Sequence, residues 1–169
     1  MALYKRIIFI GKSDTSMAPM AEEILKTTPL AAYTQIQSRG VVSLFSEPLN
    51  EKTRAVMIRN GLKASDHTSR QLSQADFRDD TLLLAMTKQQ YSDIVDRFGD
   101  HENLYSLSSF VLAAEDIPDP YGGPISAYAA CFDLIQAYLQ ELVRILTERE
   151  ADYEASQGGR GGDDTEHET

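Results

Sequence analysis

The chain has 169 residues, 42% apolar and 25% charged, which suits one soluble domain with a core of its own. Its formal charge of −10 argues against a nucleic-acid partner, which would need a basic patch to displace counterions. The single cysteine, Cys131, excludes an internal disulfide, a paired-thiol redox centre and a cysteine metal cluster, and no metal site is expected.

Residues 7–10 (IIFI) form a β-branched and aromatic run, the pattern of a strand buried on both faces of a parallel sheet. Gly11 ends it. A short polar loop follows, Lys12-Ser13-Asp14-Thr15-Ser16-Met17-Ala18, and a helix is expected from Pro19 or just before it, proline being harmless in a first turn. Met20, Ile24 and Leu25 recur at helical spacing toward the sheet, and Thr27-Thr28-Pro29 stops the helix. A strand, a loop and a helix N-terminus in succession is how α/β proteins hold anions, because the helix end offers unpaired N–H groups and about half a positive charge.

Residues 33–38 alternate as a second strand, turned by Arg39-Gly40. Residues 50–60 read as a second helix with Ala55, Val56 and Ile58 inward, capped by Asn60-Gly61. An extended stretch around His67 leads to Ser73, the N-cap of a short helical turn. Residues 81–86 are a third strand, Thr87 caps a helix that Gly99 closes after Phe98, and residues 103–107 are a fourth strand. Two prolines and two glycines make residues 116–123 a surface loop.

The last helix is expected over residues 125–148, with Phe132, Ile135, Leu139, Leu142 and Leu146 as its apolar stripe. From residue 151 to 169 lie Asp152, Glu154, Asp163, Asp164, Glu166 and Glu168 against Arg160 alone, which is half the net charge. The expectation is therefore a domain over residues 1–149 and a disordered acidic tail over 150–169. The N-terminus lacks the apolar run of a signal peptide, and no stretch approaches the ~20 apolar residues of a membrane span, so a cytoplasmic location without a membrane partner is expected. Strands alternating with helices imply a single α/β domain, a four-stranded parallel sheet with helices on both faces. Ligands in such folds sit beyond the carboxyl ends of the strands, which points at residues 11–18.

Six landmarks then stand in order: the apolar strand before the first loop, Pro19-Met20-Ala21-Glu22, Ser38-Arg39-Gly40, His67-Thr68-Ser69-Arg70-Gln71-Leu72, Leu83-Leu84-Ala85-Met86, and the loop from Asp116 to Gly123 with its Asp119-Pro120-Tyr121. On these the chain resembles the low-molecular-weight protein tyrosine phosphatases, relatives of arsenate reductases with the same fold, over about residues 5–147. The resemblance implies a phosphate-binding loop at Gly11 to Ala18, Asp119 as general acid, Ser38 and His67 as loop supports, and Tyr121 at the site rim. It also places Gly11 where the family has its nucleophilic cysteine, Met17 where it has its arginine, Ala18 where it has a serine, and Asp14 where it has an asparagine. That chemistry needs a thiolate to attack phosphorus and a guanidinium to grip the oxygens, and neither Gly11 nor Met17 supplies one.

The substitutes are weak. Ser13, Thr15 and Ser16 carry hydroxyls with no evident base, and Lys12 brings one positive charge. Asp14 brings a negative one, whose repulsion of a phosphate at ~4 Å and an effective dielectric of ~20 is worth several kcal/mol. Cys131, beside Phe132, reads as a small buried hydrophobe. The expectation is a catalytically inactive phosphatase-fold protein, with Asp119 a vestigial acid, no cofactor, and a phosphorylated or protein partner. The alternative is a phosphomonoesterase with an unorthodox nucleophile. An FMN carrier of flavodoxin type shares the fold order, whereas arsenate reduction needs several thiols.

Overall fold

The computed structural model describes residues 3–158. Four strands, β1 (Arg6–Gly11), β2 (Gln35–Gly40), β3 (Thr81–Ala85) and β4 (Leu104–Ser106), form one parallel sheet in the order β2-β1-β3-β4. β1 is central, and Ile7, Ile8, Phe9 and Ile10 are each at most 1% exposed. Burying each stabilises the fold by roughly 1.5–3 kcal/mol. Alternation along the strand separates two cores. Ile7 and Phe9 face α1 (Met17–Lys26), α2 (Glu51–Arg59) and α5 (Ile125–Gly158), while Ile8 and Ile10 face Ile94 of α3 (Lys88–Phe98) and Leu72. A short α4 (Leu107–Phe110) follows β4 directly, with Ser106 as its N-cap.

Several boundaries differ from the sequence expectation. β2 runs over Gln35–Gly40 instead of residues 33–38, because Pro29–Ala32 form a 3-10 turn that leaves Tyr33 in solvent. The pairing Gly11↔Gly40 then carries both strands to the mouth of the loop, so Arg39 and Gly40 are strand residues and not a turn. α1, by contrast, begins at Met17, just before Pro19 as expected. α2 buries Thr53, Val56 and Met57, whereas Ala55 and Ile58 are exposed, one helical step from the face expected. Asn50 caps that helix by accepting from the Lys52 and Thr53 N–H groups.

α5 is longer than its apolar stripe requires. Phe132, Ile135, Leu139, Leu142 and Leu146 are buried as expected, yet the helix continues across the boundary expected at 149/150 and ends at Gly158. Residues 151–158 are exposed, and good helix formers extend the last turns without burying anything. The Leu3 N–H donates to Glu150 Oε1 at 3.1 Å and ties this region to the chain start. The rest of the expected tail, 159–169, lies outside the described residues. No helix among the described residues is long and apolar enough to cross a membrane.

Candidate anion-binding loop

The chain leaves β1 at Gly11, bends through residues 12–16 and enters α1 at Met17, which places the loop at the carboxyl edge of the sheet. Among the described residues, none of the backbone N–H groups from Lys12 to Ala18 has an acceptor. They are free donors beside a helix N-terminus, where such groups favour an anion. The loop opens into a cleft of about 430 Å³. Met17, Ala18, Val41 and Val42 make it apolar, with Tyr121 and Tyr128 as further walls. The charged residues in its lining are Lys12, Asp14, Asp93 and Asp119.

The loop's curvature rests on residues behind it. Asp14 has φ 60°, a conformation in which aspartate and asparagine are the most tolerated of the larger residues. Its carboxylate folds away from the cleft and is 1% exposed. Oδ2 accepts from the Arg70 N–H at 2.9 Å, and His67 Nε2 lies 2.6 Å from the Asp14 carbonyl oxygen and 3.8 Å from Oδ1. Ser38 also faces the carboxylate and favours its charged form, but no donor reaches Oδ1 in hydrogen-bond geometry. Burial dominates and lifts this carboxyl from its ordinary 3.8 to about 6; Ser38, Arg70 and His67 pull it down, and the Glu22 charge pushes it up. Asp14 is thus a support of the loop and not a charge standing in the bowl at ~4 Å.

Gly40 completes the support. A Cβ there would sit 2.7 Å from the Ser13 carbonyl carbon and 3.0 Å from the Asp14 nitrogen, so only glycine lets β2 pass this close. At Gly11 the constraint is milder, with the Ala18 Cβ at 3.3 Å.

On the front of the loop the side chains are already engaged. Ser13 Oγ and Thr15 Oγ1 share a 2.8 Å hydrogen bond, and Ser16 Oγ pairs with Thr53 Oγ1 at 2.8 Å. Ser16 precedes α1 but does not cap it, leaving the helix N–H groups open. Lys12 is exposed, its Nζ 5.9 Å from the centre of the Tyr121 ring, and Tyr121 is 82% exposed at the rim. Asp119 lines the cleft while its Oδ1 accepts from the Tyr121 N–H at 2.9 Å, an aspartate turn. Cys131 is buried in α5, outside the cleft lining, and burial followed by the Asp119 charge pushes its thiol up to about 12. It stays protonated and is no nucleophile.

A family model described as "Low molecular weight phosphotyrosine protein phosphatase" matches residues 6–152. The chain belongs to that family. It is 31% identical over 143 residues to a protein-arginine-phosphatase of Geobacillus stearothermophilus, covering 83% of this chain and 95% of that protein. It is 30% identical over 128 residues to the low molecular weight protein-tyrosine-phosphatase PtpB of Staphylococcus haemolyticus, covering 76% and 90%. Among solved structures, the YwlE arginine phosphatase from Geobacillus stearothermophilus superposes with a TM-score of 0.78 at 29% identity, over 88% of this chain and 96% of that one. The family's α/β fold, with its four-stranded parallel sheet, is therefore the fold of this chain.

Sequence reasoning placed the loop, Ser38, His67, Asp119 and Tyr121, and the structure brings all of them to the two sides of one loop. It missed Gly40 and the Arg70 N–H as supports, although both stand inside landmarks it had marked. Thr53, which holds Ser16, and Tyr128, which walls the cleft, gave no local signal because both come from distant helices. Among the described residues no group of three or more histidine, cysteine and acidic side chains is placed to hold a metal ion.

Proposed function

We propose that this member of the phosphatase family binds an oxyanion ester, a phosphorylated side chain on a cytoplasmic partner protein, without hydrolysing it. One observation carries the reading: free N–H donors stand beside the α1 N-terminus, while Gly11 and Met17 supply neither nucleophile nor guanidinium. Relatives named for phosphotyrosine and phosphoarginine chemistry supply the ligand class. Val42, Leu44, Phe45 and Tyr121 are exposed, Val42 and Tyr121 in the cleft wall itself, and such an apolar margin favours a protein over a free metabolite. Asp119 is held in its turn, and with no nucleophile to displace a substrate's leaving group it has nothing to protonate.

The rival reading, hydrolysis through a loop hydroxyl, draws on Asp119 lining the cleft. Against it, each loop hydroxyl is paired with another hydroxyl, and none with a base, among the described residues. The test is a calorimetric titration of the full chain with phenyl phosphate, alongside a p-nitrophenyl phosphate assay. Saturable binding without turnover is expected. Turnover abolished by Asp119→Ala would overturn the reading in favour of the hydrolase, and absence of binding would remove the phosphoryl ligand.

A further inference from the structure

The two sides of the loop differ in what they do with charge. On the cleft side the donors are backbone amides, which are neutral, and the one cationic side chain in the lining is Lys12 at the rim. Asp93 and Asp119 line the same cleft and outnumber it. Met17, buried where the family's guanidinium would stand, adds no charge. The bowl can therefore satisfy the hydrogen bonds of an oxyanion but cannot neutralise two negative charges.

Behind the loop sits the buried Asp14 carboxylate, and the groups facing it do not cancel it. From β2 come Ser38, which is neutral, and Arg39, whose Nε is 3.4 Å from Asp76 Oδ2. From α1 comes Glu22, which is negative and paired with Lys26 at 3.0 Å, while Lys26 also reaches Glu23. From the strand-like segment around residue 70 come His67, whose Nε2 is committed to the Asp14 carbonyl, and Arg70, which offers its main-chain N–H from an exposed position. Asp66 and Lys63, of opposite sign, line the cavity on that side. Among the described residues no donor reaches Oδ1 in hydrogen-bond geometry, and His67 Nε2 stays 3.8 Å from it.

Resting on the anion-binding reading, we propose that the loop selects singly charged oxyanion esters over doubly charged ones, and that Asp14 sets this preference. The carboxylate hangs from the loop's own backbone, so a bound anion feels it at side-chain range. A unit repulsion across ~6 Å at an effective dielectric of ~20 weakens binding about a hundredfold, and a second ligand charge doubles that exponent. Protonation of Asp14 removes the repulsion, and its burial brings that change into the mildly acidic range, near about 6. Phosphate monoesters take up their own second proton at about the same pH. Acidification thus acts twice on a phosphomonoester, and once on an ester that is a monoanion throughout.

Three probes separate these effects: phenyl sulfate, methyl phenyl phosphate (a diester) and phenyl phosphate, each titrated into the full chain by calorimetry at about pH 5 and about pH 8. The two permanent monoanions are expected to bind about tenfold or more tighter than phenyl phosphate at about pH 8, with the gap closing at about pH 5. Agreement between sulfate ester and diester would identify charge as the selector; tight binding of the diester alone would name a phosphodiester as the natural form. Asp14→Asn keeps shape and removes charge. It is expected to raise phenyl phosphate affinity at about pH 8 by about a hundredfold or more and to flatten the pH profile of the monoanions.

Phenyl phosphate binding tighter than both monoanions at about pH 8 would overturn the proposal while leaving the anion-binding reading intact. So would a monoanion profile that survives Asp14→Asn and disappears in His67→Gln. Silence of all three probes at both pH values would end both. Because the probe order in the unaltered protein is itself decisive, the proposal stands or falls even if Asp14→Asn does not fold.

Discussion

The front and the back of one short loop differ in what their residues supply: the back holds shape, the front holds little chemistry. On the back, Gly40 lets β2 pass within touching distance of Ser13, His67 reaches the Asp14 carbonyl, and the Arg70 N–H closes on the Asp14 carboxylate. On the front, Gly11, Met17 and Ala18 carry no reactive or charged group, and the hydroxyls of Ser13, Thr15 and Ser16 bond to each other or to Thr53. The lesson is that shape and chemistry in such a site are encoded separately. Backbone curvature depends on partners outside the loop, so it persists when the loop's reactive side chains are absent.

If the separation is real, the front can be refilled without touching the back. The double substitution Gly11→Cys with Met17→Arg is expected to hydrolyse p-nitrophenyl phosphate at least about a thousandfold faster than the unaltered chain, since it restores both the covalent route and the oxyanion grip. The added Cβ at residue 11 meets the Ala18 Cβ at 3.3 Å, which asks for a shift of only a few tenths of an ångström. A further Asp119→Asn should then cost about a hundredfold or more, as a lost general acid does. A folded double variant with no activity would mean that the back no longer holds the loop in a working curve.

The converse is a substitution that fills nothing but space. Gly40→Ala drives a methyl into backbone atoms of Ser13 and Asp14 at 2.7 and 3.0 Å, and backbone yields less than a side chain. A loss of about 3 kcal/mol is expected in urea melts, together with loss of anion binding. Gly11→Ala, on the front, should cost about 1 kcal/mol or less. Equal costs at the two glycines would erase the distinction drawn here.

Most of the fold was legible because its signals are local: an apolar run for β1, Asn50 and Thr87 as caps, Gly61 and Gly99 as helix ends at φ 75° and 83°. The start of β2 was not, since pairing with β1 overrode the alternation at Tyr33, and neither was the run of α5 past residue 149, where no apolar stripe continues. In the site, spacing from Pro19 marked out the loop, and residues 12–16 do connect β1 to α1. It could not say where a side chain turns. Asp14 looked like a charge in the bowl, and only its φ and its partners across 56 residues of sequence place the carboxylate behind it.

That misplacement gives the finest test of the back as a scaffold with a cost. In the folded chain the Asp14 carboxyl holds its proton up to about pH 6, chiefly because burial penalises the charge, whereas an unfolded aspartate lets go near its ordinary 3.8. Between those values the native state binds more protons than the unfolded one, so stability falls as pH rises. The stabilising contribution of the neutral form is complete below about pH 4 and is lost as pH climbs through about 6, a change of up to about 3 kcal/mol. Asp14→Asn removes the titrating charge and keeps an oxygen for the Arg70 N–H, while the amide group replaces the oxygen that has no donor. Urea melts should therefore find the variant about 2 kcal/mol more stable than the parent at about pH 8 and nearly equal to it at about pH 4. A difference that stays constant with pH would mean the carboxyl does not titrate in this range, and the charge behind the bowl would then be permanent instead of switchable.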